Sequence, residues 1–371
     1  MFQNCSRSSF QGKIVEIPGL HVDNFEYVEF TTPRAYFLSH CHSDHMQGLH
    51  SPYLLKYIKE KNIFIYTTEL SYAIIKDITK DDTLLDYIKV LKLGSTLVTL
   101  EGIPEKNIDE TYVTVTLVPA GHCVGAVMFL FQTINTTVLF TGDFRINEKD
   151  IYKYAGLHDV AEKPIKINTM YLDTTFIDLV YENFPKRSQS IDAMLKEIES
   201  CLLTGSGVAL HTSAKYGYEY VFNKIYEKLG RKVYVNEDRW RFYRKISHLV
   251  PGVTNNDNET IIHLCTKRNE KNHSTCIPRN YPQFLYIHLS AMKWMNSNTF
   301  KPIQRMSPTR VDVCFATHCS RSEILGFVNY FKPDKVIGFP NPYIEERGLK
   351  RGNSLREEGK LESMLVKRFC S

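Results

Sequence analysis

The segment His40-Cys41-His42-Ser43-Asp44-His45 places three imidazoles and one carboxylate in six consecutive positions, directly behind the apolar run Arg34-Ala35-Tyr36-Phe37-Leu38-Ser39. Imidazole nitrogen and carboxylate oxygen bind borderline divalent ions such as Zn²⁺ at about 2.0–2.2 Å, and a catalytic site keeps a position open. If 34–39 is a short buried strand, His40 and His42 leave its end on one face and converge on a single point. Asp44 and His45 then reach a second point, where the chain is expected to turn into a helix at Met46-Gln47-Gly48-Leu49. A helix cap at Asp44 beside surface histidines is the plainer reading. Four ligand-type residues in six positions weigh against it.

Two further candidates follow at expected strand ends. The alternating run Thr111 to Leu117 delivers His122, which lies between Gly121 and Gly125, where the backbone can approach closely. The run Thr137 to Phe140 opens onto Thr141-Gly142-Asp143-Phe144-Arg145, and Asp143 could offer one carboxylate oxygen to each of two ions. Singly, His122 reads as a core histidine and Asp143 as a turn residue; in this order behind the first cluster they become a ligand set. Asp23, after the Pro18-Gly19 turn, reads alone as an Asx turn.

The elements that must position these residues alternate between strand and helix. A helix is expected over Ser51 to Ile63, a strand at Ile63 to Tyr66, a mainly helical stretch from Thr67 to Leu93, and strands at Val127 to Phe131 and Met170 to Leu172, the last ending on Asp173. A helix at Ser188 to Leu203, a strand at Gly207 to His211 and a helix containing Tyr216 to Tyr220 repeat the unit, as an inserted α/β domain would. Asp238-Arg239-Trp240-Arg241-Phe242-Tyr243-Arg244-Lys245 interleaves cations with aromatics. That composition suits phosphate contact and base stacking, and equally a solvated basic helix face; Lys215 is similar. His263-Leu264-Cys265 and Cys276 suit a closed structural zinc site, or else buried thiols with a core histidine. The strand Val311 to Ala316 reaches Thr317-His318-Cys319-Ser320.

With 371 residues, 43% of them hydrophobic, the chain can form two domains or one with a large insertion. A net charge of +5, from 46 basic and 41 acidic residues, permits a polyanionic partner without demanding one. Nine scattered cysteines argue against a disulfide framework and for a reducing compartment. No secretory signal or membrane-length apolar run stands in the sequence, so an intracellular, soluble protein is expected.

The order HxHxDH, then His, then Asp is that of the metallo-β-lactamase fold. The strings RAYFLSHCHSDHMQGL (34–49), VPAGHCVGAVMFLFQ (118–132), VLFTGDFR (138–145), YLDTTF (171–176) and YGYEYVF (216–222) resemble the Artemis-like nucleases of its β-CASP DNA-repair family. Ala120-Gly121-His122-Cys123 is more similar to that branch than to the Apollo and interstrand-crosslink repair branches. The similarity runs from near Ser8 to about Phe331. It implies an αββα metallo-β-lactamase sandwich (1–163 and 312–371) with an inserted α/β β-CASP cap (164–311). Function would be metal-dependent DNA hydrolysis at ends, overhangs or hairpins in nuclear double-strand-break repair by end joining, with kinase or ligase partners.

By the same resemblance, His40, His42, His122 and Asp143 would hold one tight zinc. Asp44, His45 and Asp143 would hold a weaker second ion: Mg²⁺, Mn²⁺ or Zn²⁺. Asp44 would orient water, Asp173 would support the metal site and scissile phosphate, His318 would stabilise the transition state or donate a proton, and Asp23 would fix a ligand histidine. The cap's zinc site in this family would map onto His263, Cys265 and Cys276, while its remaining histidine falls on Tyr234, leaving His273 as a substitute. Serines that line a terminal-phosphate pocket in relatives are replaced by Ala316 and Cys319, with Thr317 and Ser320 as compensating candidates. No histidine follows His318. RNA-processing members place a metal ligand there, so its absence favours DNA and a loosely held second ion. Other readings stay open: a 5′-3′ exonuclease of crosslink or telomere repair, an RNA endonuclease, a small-molecule thioester or lactam hydrolase, and a non-catalytic scaffold for DNA ends. The basic stretch Arg347 to Lys360 is expected to be solvated.

Overall fold

The computed structural model describes residues 10–26, 32–265, 284–295 and 301–344. Short apolar runs pair first into a four-stranded parallel sheet, β1 (Leu20–Val22), β2 (Ala35–Phe37), β3 (Ile65–Thr68) and β4 (Ile88–Leu91), in sequence order. A second sheet holds β5 (Gly94–Leu100), β6 (Thr111–Pro119), β7 (Val127–Gln132) and β8 (Thr137–Phe140), paired antiparallel. β9 (Thr169–Asp173) then runs parallel to β8, and strand Lys335–Phe339 completes the sheet beside it as a sixth member.

Period-two alternation explains how the layers stack. Along β7, Val127, Phe129 and Phe131 enter the core between the two sheets with Phe37, Val115 and Phe140, whereas Met128 and Leu130 face the opposite way. That outer face is covered by the helix Arg321–Phe331 through Ile324, Phe327 and Phe331. The outer face of the first sheet, with Tyr36 and Ile65, is covered by helices Pro52–Lys61 and Glu69–Ile78. The result is helix, sheet, sheet, helix, the expected α/β sandwich.

After β9 the chain builds a separate seven-stranded sheet from β10 (Gly207–Thr212), β11 (Val233–Tyr234), β12 (Val253–Thr254), β13 (Ile262–Leu264), β14 (Phe284–Leu289), β15 (Ile303–Ser307) and β16 (Arg310–Val313). Its order is β12-β11-β13-β10-β14-β16-β15, with only β15 antiparallel to its neighbour. The chain then returns to the sandwich as helix 321–331 and β17 (Lys335–Phe339). Pairing puts Thr169–Asp173 in the sandwich and Arg310–Val313 in the inserted sheet, so the crossings fall later than the expected 163/164 and 311/312.

Three local expectations are corrected. Residues 43–50 form turns, and the helix starts only at Pro52, where the Ser51 hydroxyl accepts the Tyr53 N–H at 3.2 Å. The stretch 67–93 is one helix, a 3₁₀ segment (Asp82–Tyr87) and β4, because Lys80-Asp81-Asp82 interrupts the apolar spacing. Tyr216, Gly217 and Tyr218 precede the helix Glu219–Leu229, since Gly217 takes φ +105°. Among the described residues no helix is long and apolar enough to cross a membrane.

Candidate metal centre

Every candidate ligand leaves the end of a strand. β2 delivers His40 to His45, β6 delivers His122, β8 delivers Asp143, β9 ends on Asp173 and β16 leads to His318. Gly142 is required behind Asp143: it takes φ +52°, and a Cβ there would lie 2.8 Å from the Ser39 hydroxyl.

The hydrogen bonds around the four candidate imidazoles fix which ring nitrogen turns to the centre. Asp23, itself 2% exposed, accepts the Ser39 N–H at 2.7 Å through Oδ1 and the Ser39 hydroxyl at 2.5 Å through Oδ2. A hydroxyl has one proton, so at 2.9 Å Ser39 Oγ must accept from His40 Nδ1–H. His40 Nε2 is thereby left bare. His45 Nδ1 donates to Asp23 Oδ2 at 2.8 Å, and His122 Nδ1 to the Thr317 carbonyl at 3.0 Å, so each turns Nε2 inward. His42 is reversed, because its Nε2 donates to the Tyr216 carbonyl at 3.3 Å and its Nδ1 faces the centre.

The bare atoms converge. His42 Nδ1 lies 3.2 Å from His40 Nε2 and 3.0 Å from His122 Nε2, while Asp143 Oδ2 lies 3.5 and 3.4 Å from the same two nitrogens. All four ligand atoms lie within 4.8 Å of one another. A tetrahedral zinc with bonds of about 2.0–2.1 Å has ligand atoms about 3.3 Å apart, so this donor set fits the ion the family implies. The second oxygen of Asp143, Oδ1, points to His45 Nε2 at 3.2 Å, and Asp44 Oδ2 reaches that nitrogen at 3.7 Å. Asp143 therefore faces both groups.

Burial, with His45 as a neighbouring positive charge, holds the His40 imidazole down to about 3 and lowers His42 and His122 as well, which keeps these rings neutral and able to coordinate. Burial also opposes charge on Asp143, but His45 and His318 outweigh it and hold the carboxyl well below its ordinary range. His318 Nδ1 donates to Asp173 Oδ2 at 2.7 Å, and its Nε2 approaches Asp143 Oδ2 at 3.9 Å. Burial disfavours the His318 imidazolium, yet Asp173 and Asp143 push it up to about 9. Asp173 is itself held by Thr175, whose N–H donates to Oδ1 at 2.9 Å and whose hydroxyl donates at 2.5 Å.

A cavity of about 350 Å³ opens over these groups, walled by the sandwich on one side and by Ser213, Tyr218, Met292 and Phe315 of the inserted body on the other. Larger hollows near Lys56 and Lys89 hold none of this chemistry.

The structure sorts the remaining candidates. Thr317 lines the cavity. Ser320 is 1% exposed and caps the helix 321–331 in a box with Glu323, so its hydroxyl is withdrawn from the cleft. Arg239 donates to the carbonyls of Lys215 and Ala214 and braces the loop before Tyr216. Lys215 pairs with Asp238 at 2.9 Å, and Arg241 and Arg244 are exposed. His263 and Cys265 are buried at the end of β13, with Tyr234 beside His263 in register. Cys276, His273 and the stretch 347–360 lie outside the described residues. Sequence reasoning missed Ser39, although a hydroxyl next to a ligand histidine was a readable signal. It also missed Arg187, which donates to the carbonyls of Gly121 at 2.7 Å and Ala316 at 3.0 Å and so ties the His122 loop to the His318 loop.

The family described as DNA repair metallo-beta-lactamase matches residues 247–342. Over 358 residues the chain is 32% identical to the protein artemis of Homo sapiens, covering 90% of this chain and 49% of that protein. It is 28% identical over 332 residues to the DNA cross-link repair 1A protein of Gallus gallus, covering 86% and 31%. The chain thus spans about half the length, or less, of the curated relatives it matches. Among solved structures, a protein of unknown function from Enterococcus faecalis V583 superposes with a TM-score of 0.52 at 13% identity, over 82% of this chain and 74% of that one, a likeness of fold alone. With an αββα sandwich, an inserted α/β body and an inward-facing set of His and Asp side chains, the chain resembles the Artemis-like DNA repair metallo-β-lactamase proteins in sequence and in build.

Proposed function

We propose that this chain is a metal-dependent nuclease that hydrolyses phosphodiester bonds of DNA at ends, overhangs or hairpins, in the nucleus, during double-strand-break repair by end joining. The observation that carries the reading is the set of four converging ligand-type atoms beside the Asp173 and His318 pair, with His42, His122, Asp143 and His318 lining one cleft shared by sandwich and insertion. His40, His42, His122 and Asp143 would hold a tight zinc; Asp44, His45 and Asp143 would hold a second divalent ion more loosely, since Asp44 is more exposed than the other ligands. Such ions acidify water and neutralise charge on a phosphate during in-line displacement.

The chain's own groups do the rest. Asp44 stands at the cleft mouth and orients water, and the charged His318, held by Asp173, donates its Nε2 proton toward the phosphate or the departing oxygen. Asp23 fixes His40 and His45. Thr317, Arg241, Arg244 and Lys215 would carry DNA contacts, with an end-joining kinase or ligase as partner. A structural zinc in the inserted body would draw on His263 and Cys265.

The test is cleavage of end-labelled hairpin, overhang and single-stranded DNA, with and without a 5′-phosphate, beside matched RNA and with metal analysis. Cleavage of DNA supports the reading; hydrolysis of a thioester or lactam with none of DNA overturns it.

A further inference from the structure

Glu219 is 7% exposed at the first position of the helix Glu219–Leu229, and the scheme above gives it no role. Its oxygens accept the Gly217 N–H at 3.1 and 3.0 Å, and Oε1 also accepts the Tyr243 hydroxyl at 2.9 Å. That N–H belongs to the same peptide group as the Tyr216 carbonyl, which accepts from His42 Nε2 at 3.3 Å. In a planar trans peptide the N–H and C=O point in opposite directions. A grip on the Gly217 N–H therefore aims the Tyr216 oxygen, and polarisation passes through the amide. Gly217 itself takes φ +105° and lies against Thr317, His122 and Cys123.

We propose that Glu219 is a positioning residue for the metal centre, acting from the inserted body through the 216–217 peptide group to hold His42 as the Nε2–H tautomer with Nδ1 turned to the ion. This rests on His42 being a metal ligand, as the proposed function has it. A carboxylate in a first helical turn also stabilises the helix, so loss of stability alone does not distinguish the two roles.

The readout is Co²⁺ bound to the full chain, followed by visible absorption and by competition with a chelator. Glu219→Ala should bind Co²⁺ about tenfold more weakly, as loss of an outer-sphere partner does, with an altered absorption envelope. Glu219→Gln keeps an oxygen for the Gly217 N–H and should recover most of the affinity and the envelope. Wild-type Co²⁺ affinity and spectrum in Glu219→Ala, whatever its melting temperature, would overturn the proposal. If that variant does not fold, Glu219→Asp, one methylene shorter, serves instead: weaker Co²⁺ binding supports the proposal and unchanged binding refutes it. DNA cleavage is scored separately. A wild-type protein that cleaves no DNA while its variants lose Co²⁺ sinks the nuclease reading and leaves the role of Glu219 standing.

Discussion

Asp23→Asn alters one atom, and its consequence can be followed to the ligands. Asn Oδ1 still accepts the Ser39 N–H, now at 2.7 Å, but an NH₂ replaces the oxygen that took the Ser39 hydroxyl and His45 Nδ1–H at 2.5 and 2.8 Å. Two donors cannot share that contact. His45 must bare Nδ1 and carry its proton on Nε2, the atom that faces Asp143 Oδ1 at 3.2 Å. A hydrogen bond to a charged group contributes about 1.5–3 kcal/mol, so holding the coordinating tautomer should weaken the ion on the His45 side by roughly 10- to 150-fold. Titration of metal-stripped protein should show this loss, and DNA cleavage should recover when metal is raised in proportion, since the groups acting on substrate are intact. Wild-type affinity, with cleavage showing the wild-type dependence on metal, would refute the tautomer argument.

Asp143→Asn, which removes the carboxylate shared by both ligand groups, should abolish cleavage while circular dichroism reports an unchanged fold. Arg187→Met should cost about 1.5–3 kcal/mol in denaturant unfolding and slow cleavage, because both carbonyls it holds lose a charged donor. Burial, with Lys13 adding to it, holds His21 down to about 4, against 6.5 in the unfolded chain. The unfolded state takes up that proton first, so stability is complete above pH 6.5 and falls by about 3 kcal/mol by pH 4. Denaturant midpoints should show that slope, and His21→Phe should flatten it. Arg241→Glu and Arg244→Glu should weaken DNA binding and lower its salt dependence without changing metal content.

The clustering of His40, His42, His122 and Asp143 was legible because coordination chemistry restricts residue types and strands restrict spacing, so the four could be grouped before any fold was known. The restraints on those ligands were not, because two of the four acceptors that set the tautomers are main-chain carbonyls, at Tyr216 and Thr317, which no side-chain letter announces. Composition also misled at Ser320 and Arg239. A hydroxyl and a guanidinium near the cleft suit phosphate equally well, and only the backbone path shows them spent on a helix cap and a loop brace. Sheet membership at the two crossings depends on pairing partners far away in sequence, which local patterning at 169–173 and 310–313 does not encode.

The bond from His318 to Asp173 joins residues 145 positions apart, at the stem where the chain departs from the sandwich and where it comes back. It works as a clasp on a closed ring. Lengthening or trimming the excursion at its far rim leaves the clasp, and the His and Asp cluster beneath it, unchanged. The part of the roof beyond the 216–219 loop can therefore be remodelled, by evolution or by grafting, to admit guests of another shape, while the floor keeps its chemistry so long as the Tyr216 carbonyl stays on His42.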